Sequence, residues 1–274
     1  MKTSDSTVIN DLYKFSVLDT VNNTGKPFVS IIMPAYRLSK LITYSINVIE
    51  KTMDTYGYNY EIIVVDDGSP DDTYNQALKV SKDPTVRVYK LPRNMGKGYA
   101  LLHGFRRSKG EIVVFFDGDL DIDPRQIHLL ISALKNTKAD IVITSKWHPQ
   151  SKTIATPIRK FLSKAFYALA RLLLGLKVSD TQTGAKAFKR NVLEDIVNHL
   201  TIKRYAFDVE LLTAATTRGY KIVEVPALWK IKLTSSFKTK EIWKMFIDLL
   251  AITYRHRVKK QYTMIRSKET IGAK

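Results

Sequence analysis

Ile112-Val113-Val114-Phe115-Phe116-Asp117-Gly118-Asp119-Leu120-Asp121-Ile122-Asp123 is the stretch on which the fold turns. Its first five residues are an uninterrupted apolar run, which reads as a buried strand. Four carboxylates at alternate positions then leave the end of that strand. Strand alternation predicts that they emerge on one side, with the chain turning by Asp123-Pro124. Carboxylates crowded in this way repel one another unless a cation neutralises them. Hard divalent cations such as Mg2+ or Mn2+ take oxygen ligands and bind through few carboxylates plus substrate phosphates. A solvated acidic turn is the competing reading of a lone D-x-D.

Upstream, Phe28 to Met33 is a β-rich run ended by Pro34, and Leu38 to Met53 has helical apolar spacing. Tyr60 to Val65 reads as a second strand, with Asp66-Asp67-Gly68-Ser69-Pro70-Asp71 as its exit turn. Thr73 to Lys82 reads as a helix and Val86 to Lys90 as a strand. Arg93 to Gly98 is a loop opening a helix that runs through Ser108. Downstream follow a helix over Gln126 to Asn136 and a strand over Ile141 to Thr144. This alternation predicts an α/β fold: a mostly parallel sheet with helices on both faces. In such sheets the ligand sits outside the carboxyl ends of the strands. Pro34-Ala35-Tyr36, Asp66-Asp67 and Asp117-x-Asp119 all fall there, and three polar constellations on one edge favour a binding site over an acidic turn. Taken singly, Asp66 to Ser69 fits ordinary turn chemistry. Gly96-Lys97-Gly98 fits either a plain helix start or amides and a lysine approaching a phosphate. A Walker A loop is absent, and no G-x-G-x-x-G follows the first strand, which argues against a dinucleotide fold.

The 274 residues, 45% hydrophobic, suffice for one large α/β domain with additions. The absence of cysteine excludes disulfides and thiolate metal sites. No apolar signal segment opens the chain, and no apolar run approaches the ~20 residues that span a bilayer, so the expectation is a soluble or peripheral protein without a transmembrane segment. Residues 1–26 read as a polar N-terminal extension, with Val8 to Phe15 as a short candidate helix. The net charge of +18 is segregated. Ser145 to Lys177 holds seven basic and no acidic residues; Lys230 to Lys274 holds twelve basic and three acidic. Such segregation implies an anionic partner: nucleic acid, an anionic membrane surface or a phosphate-bearing substrate. Two merely solubilising faces are the alternative.

The motifs PAY (Pro34–Tyr36), VVDDGSPDDT (Val64–Thr73), RNMGKGYAL (Arg93–Leu101) and DGDLDID (Asp117–Asp123), in this order, resemble the inverting glycosyltransferases of family 2, which have the GT-A fold. DTQTGAKAFKR (Asp180–Arg190) and YAFDVELL (Tyr205–Leu212) are similar to the dolichyl/polyprenyl-phosphate hexosyltransferases within it, of mannose synthase and glucosyltransferase type. The resemblance spans roughly Pro27 to Arg257. It implies a catalytic domain over residues 27–237 and a basic, amphipathic, membrane-proximal segment over 238–274. It further implies transfer of a hexose from GDP-mannose or UDP-glucose to dolichyl or polyprenyl phosphate at the cytoplasmic membrane face.

By that resemblance Asp67 contacts the base or ribose with Asp66 beside it, and Pro34 and Tyr36 line the nucleotide pocket. Lys97 packs around the donor, Asp117 contacts ribose or sugar, and Asp119 is the main ligand of a metal bridging the diphosphate. Asp121 is the second ligand, where the mannose synthases often carry Gln. The family's first motif usually continues with Asn and Glu; Arg37-Leu38-Ser39 stand there instead, and nothing is carried over to them. Asp208 faces the site and orients the acceptor or sugar; on its own residues it reads equally as a helix cap, with Glu210 as a second candidate. Asp180, Gln182 and Thr183 shape the pocket, while Gly184 serves backbone geometry.

Two anionic phosphates held close together require cations. Arg159, Arg171, Lys186, Lys230, Lys232 and Lys238 form the available pool. Arg159 with Lys230 or Lys232 is the choice for the acceptor phosphate, and each alone reads equally as a surface residue.

Ile158 to Leu174 carries Ile158, Phe161, Leu162, Ala165, Phe166, Leu169, Leu172 and Leu173 on one helical face, with Lys160, Lys164, Tyr167 and Arg171 on another. A second amphipathic helix, Glu241 to Tyr254, aligns Ile242, Met245, Phe246, Leu249 and Ile252 ahead of a basic cluster. Both suit an anionic membrane interface, and both also suit core packing with a basic outer face. A family 2 enzyme acting on a glycan or soluble acceptor is the alternative function. A nucleic-acid-binding protein would leave the Asp clusters unexplained, since carboxylates repel a phosphate backbone; no nucleic acid is therefore expected among the partners.

Overall fold

The structure is a computed structural model that describes residues 25–151, 157–204, 206–228 and 239–263, with the backbone alone at 157–164 and 239–243. The candidate helix at Val8 to Phe15, and Lys230, Lys232 and Lys238, lie outside the described residues.

Seven strands build one sheet: β1 (Val29–Ala35), β2 (Tyr60–Asp66), β3 (Val86–Lys90), β4 (Ile112–Phe116), β5 (Ile141–Ser145), β6 (Ala185–Lys189) and β7 (Ile222–Pro226). Their order across the sheet is β3-β2-β1-β4-β6-β5-β7. All pairings are parallel except those of β6, which runs antiparallel to β4 and β5. The reversal brings the start of β6, rather than its end, to the edge where the parallel strands finish.

Alternation sorts the strand residues onto two faces. Ile31, Met33, Ile62, Val64, Val114 and Phe116 pack against α1 (Ile42–Thr55) and α4 (Gln126–Asn136). Ile32, Val113, Phe115, Ile141, Ile143 and Phe188 face α3 (Lys97–Phe105), α5 (Pro157–Leu174), α6 (Arg190–Ile196), α7 (Phe207–Thr217) and α8 (Thr239–Arg257). Each fully buried aliphatic side chain contributes about 1.5–3 kcal/mol relative to exposure.

Three helices are shorter than the sequence predicts. α3 ends at Phe105 instead of Ser108. α1 begins at Ile42 because the preceding turn is tied across to the β2 exit: the amides of Arg37 and Leu38 donate to Ser69 Oγ (3.0 Å) and Thr73 Oγ1 (2.8 Å). α2 (Thr73–Leu78) stops early because Lys82 and Val86 exchange backbone hydrogen bonds that lead into β3.

The amphipathic helices also depart from expectation. On α8, Met245, Leu249 and Ile252 are buried in the protein, so three of the five residues assigned to a membrane face belong to the core. Among its described side chains the exposed large apolar ones are Phe246, Ile247, Leu250 and Tyr254, followed by Val258. On α5, Phe166, Leu169 and Leu173 pack against the core, whereas Leu172 is 74% exposed. Among the described residues no helix is long and apolar enough to cross a membrane.

Candidate active site

β4 delivers Asp117 onto the same sheet face as Val113 and Phe115, the face that carries α3 and α7. The four carboxylates do not continue in strand alternation. Leu120 takes a left-handed conformation (φ 55°), and both Leu120 and Ile122 turn into the core. Asp119 and Asp121 are therefore held on a turn, where the Asp121 amide donates to Asp119 Oδ1 (3.1 Å). Asp123 accepts the Arg125 amide (2.9 Å) and serves as the turn residue before α4.

Lys97, the first residue of α3, reaches both oxygens of Asp117 (2.7 and 2.8 Å). Behind Asp117 lies Gly184, whose carbonyl accepts the Asp117 amide (3.1 Å). A Cβ at Gly184 would sit 2.4 Å from Asp117 Oδ2, so close approach of backbone to carboxylate requires glycine there. Two residues on, Lys186 Nζ pairs with Asp208 Oδ1 at 2.9 Å, and both side chains are nearly inaccessible. Lys186 also donates to the Thr183 carbonyl. Asp208 thus meets a lysine and does not cap its helix, whose N-terminus has no side-chain cap.

These charges feel one another. Burial alone would lower the Lys97 pKa, but Asp117, Asp208 and Asp119 hold it above its ordinary value. Burial raises the Asp117 carboxyl; Lys97 opposes that, while Asp119 and Asp208 add to it. Lys186 is pushed down by burial against the pull of Asp208.

Asp67 leaves β2 and binds the facing loop through both oxygens, accepting the amides of Met95 (2.7 Å) and Gly96 (2.9 Å). Burial raises its pKa, and those two amides partly offset the rise. Asp66 is buried, accepts the Ser69 amide (3.2 Å), and has its Oδ2 without a hydrogen-bond partner among the described residues. Pro34 pairs with Val65 within β1, which runs on to Ala35 instead of stopping at the proline, and Tyr36, 40% exposed, follows the strand. Asp66, Asp67, Lys97, Asp117, Asp119, Lys186 and Asp208 thus share one edge of the sheet. The side chain of Arg159 is outside the described residues, and Arg171 is exposed on the last turn of α5.

Around this edge Asp180 accepts the amides of Lys146 (3.1 Å) and Gln182 (3.1 Å) and pairs with Lys146 Nζ at 3.7 Å. Glu224 of β7 in turn accepts from Ser179 and Asp180. Lys146, at the end of β5, and the pairing role of Lys186 escaped the sequence reading. A lysine inside the apolar run Ala185 to Phe188 was the available signal for Lys186.

Among the described residues no three His, Cys, Asp or Glu side chains converge to hold a metal ion unaided. Asp119 and Asp121 supply hard oxygen donors beside the Asp117–Lys97 pair. One or two carboxylates completed by substrate phosphates is how Mg2+ is usually held in phosphate-transferring sites, so this donor set fits such an ion.

Residues 30–197 match the model of glycosyl transferase family 2. A dolichyl-phosphate beta-glucosyltransferase of Trichomonas vaginalis is 32% identical over 250 residues, covering 87% of this chain and 74% of that protein. The dolichyl-phosphate beta-glucosyltransferase of Saccharomyces cerevisiae is 30% identical over 225 residues, covering 74% and 66%. The crystal structure of glucosyl-3-phosphoglycerate synthase from Mycobacterium tuberculosis with UDP superposes with a TM-score of 0.64 at 22% identity, over 83% of this chain and 79% of that one. The sheet order and this superposition identify the fold as GT-A.

Proposed function

This chain belongs to glycosyltransferase family 2, and we propose that it transfers glucose from UDP-glucose to dolichyl or another polyprenyl phosphate, with inversion at the sugar carbon. The observation that carries the reading is the likeness to dolichyl-phosphate beta-glucosyltransferases over 87% of the chain, together with the paired charges on the carboxyl edge of the sheet.

In the proposed reaction an anionic oxygen of the lipid phosphate attacks C1 of glucose from the side opposite UDP. The new C1–O bond forms as the bond from C1 to the diphosphate breaks, and UDP leaves with that electron pair. The acceptor oxygen is already an anion at neutral pH, so no strong base is needed. Asp119 and Asp121 would hold Mg2+ or Mn2+, which neutralises charge on the diphosphate as a Lewis acid when bound. A related fold has been crystallised with Mn2+ and UDP. Asp67 fixes the 93–98 loop against the nucleotide, with Asp66, Pro34 and Tyr36 lining the pocket. Asp117, steadied by Lys97, meets ribose or sugar. Asp208, steadied by Lys186, orients the reacting groups. Both lysines already face carboxylates, so the acceptor phosphate falls to Arg159, Lys230 and Lys232. Residues 27–237 act as the catalytic domain, and residues 238–274 lie next to an anionic membrane surface on its cytoplasmic side.

The test is incubation of the full chain with radiolabelled UDP-glucose or GDP-mannose, dolichyl phosphate and Mg2+ or Mn2+. Label from UDP-glucose should enter an organic-extractable product. Label from GDP-mannose alone would reassign the sugar. Label appearing only in a glycan or a soluble acceptor would overturn the lipid-phosphate reading.

A further inference from the structure

Glu210 lies two residues after Asp208 on α7 and is fully buried. One of its oxygens, Oε2, accepts the amides of Thr201 (2.8 Å) and Ile202 (2.7 Å). The other, Oε1, accepts the hydroxyl of fully buried Tyr262 (2.6 Å) and pairs with Arg255 Nη2 (3.1 Å). Arg255 Nε donates to the same Tyr262 oxygen (3.2 Å). A single carboxylate therefore joins α7, the segment before it, and the C-terminal helix with its following turn.

The segment before α7 reaches the donor loop. The Lys203 carbonyl accepts the Tyr99 amide (3.3 Å) and occupies the space a Cβ on Gly96 would need, at 2.4 Å. Gly96 is one of the two residues whose amides Asp67 holds. Two further bonds fasten this segment to the C-terminal part: Gln261 Nε2 donates to the His199 carbonyl (2.7 Å) and to Thr201 Oγ1 (3.2 Å). Residues 199–202 are thus held by the turn after α8 and, through Glu210, by Arg255 and Tyr262. They lie between the loop that Asp67 fixes and the helix that presents Asp208.

A buried ion pair is weak as a source of net stability, because desolvation offsets the attraction, but it fixes geometry when every lone pair is used. Here each carboxylate oxygen has two polar neighbours: Oε2 the two amides, and Oε1 the Tyr262 hydroxyl and the Arg255 guanidinium as an ion pair. We propose that Glu210 is a positioning residue: through Arg255 and Tyr262 it makes the seating of α8 set the place of Asp208 and of the donor loop. The proposal rests on the reading of Asp208 and the 93–98 loop as parts of the active site.

The test uses the full chain with Tyr262→Phe, Arg255→Met, Arg255→Lys and Glu210→Gln, each alone and with Asp208→Asn. Tyr262→Phe removes one hydroxyl and keeps the ring, so a folded variant is available even where Glu210→Gln fails to fold. Tyr262→Phe and Arg255→Met should lower kcat by about tenfold to a hundredfold, the scale of a small misplacement at a distance, with Arg255→Lys restoring most of it. In the Asp208→Asn background the same changes should cost less than about twofold, because coupled residues are non-additive. Amide exchange should quicken at residues 95–99 and 199–208 and stay slow in β1 and β4. Equal losses in both backgrounds, or faster exchange confined to residues 249–263, would overturn the proposal. Should the wild-type chain transfer no glucose to lipid phosphate, the functional reading fails, and the exchange pattern alone decides the role of Glu210.

Discussion

Asp117 shows how closely a single site carboxylate is specified. Lys97 neutralises it from one side, and the backbone of Gly184 closes the other. A methyl group at residue 184 would fall 2.4 Å from Oδ2 and 2.9 Å from Cγ. The carboxylate cannot retreat without leaving Lys97, and Gly184 cannot retreat because its carbonyl holds the Asp117 amide. Gly184→Ala should therefore cost about 1–3 kcal/mol in urea unfolding, the range for overpacking. Glucosyl transfer should fall more steeply than stability. Unchanged unfolding and turnover would mean that the carboxylate has room to move and that the Lys97 pairing does not define the site. Under the proposed reaction the same residues imply that the site recruits further charge. Lys97 and Lys186 each face a carboxylate, so together they leave nothing over for two phosphates.

At the scale of elements, α8 has one buried and one exposed apolar face. Met245, Leu249 and Ile252 pack against the protein core. Ile247 is 61% exposed and Val258 65%, with Leu250 and Tyr254 between them. Lys244, Arg257, Lys259 and Lys260 lie exposed along or just beyond the same helix. Leu249→Ala or Ile252→Ala should cost about 2–5 kcal/mol of stability, as buried truncations do. Ile247→Ser with Leu250→Ser should stay within about 0.5 kcal/mol of wild type, as exposed changes do, yet reduce flotation with anionic vesicles. Equal flotation of wild type and the double variant would remove the membrane role from this face. The helical spacing shows that an apolar stripe exists; it does not say whether protein or lipid covers it, because both reward the same periodicity. The burial of Arg255 against Glu210 was likewise hidden, since a basic residue near a helix C-terminus usually reads as surface.

At the scale of the whole molecule, the first five strands were legible because β1, β2, β4 and β5 carry apolar runs and β3 alternates valine with polar residues, and the longer helices between them carry apolar residues at helical spacing. The carboxyl edge followed from their order, and with it the meeting of Asp66, Asp67, Lys97 and Asp117. β6 was not legible. Its five residues include Lys186 and Lys189, and nothing local dictates that it runs antiparallel. The direction comes from where the long excursion after β5 returns, which is a property of the assembled sheet. The assembled molecule also divides its carboxylates by pKa. Those of the site, Asp67 and Asp117, are raised by burial. Asp195, on the far scaffold, is lowered by its hydrogen bonds from Arg218 and then from Tyr220, which joins the end of α6 to the turn after α7. The two classes act on stability with opposite sign. A raised carboxyl contributes stability below its ordinary value of 3.8 that is lost as pH rises through its folded value. Asp195 contributes stability above 3.8 that is lost as pH falls through its lower folded value. In urea titrations across pH, Asp195→Asn should be less stable than wild type near neutrality, and the gap should close only as the pH drops below 3.8. A gap that stays constant through that window would show that Arg218 and Tyr220 hold Asp195 by shape rather than by its charge.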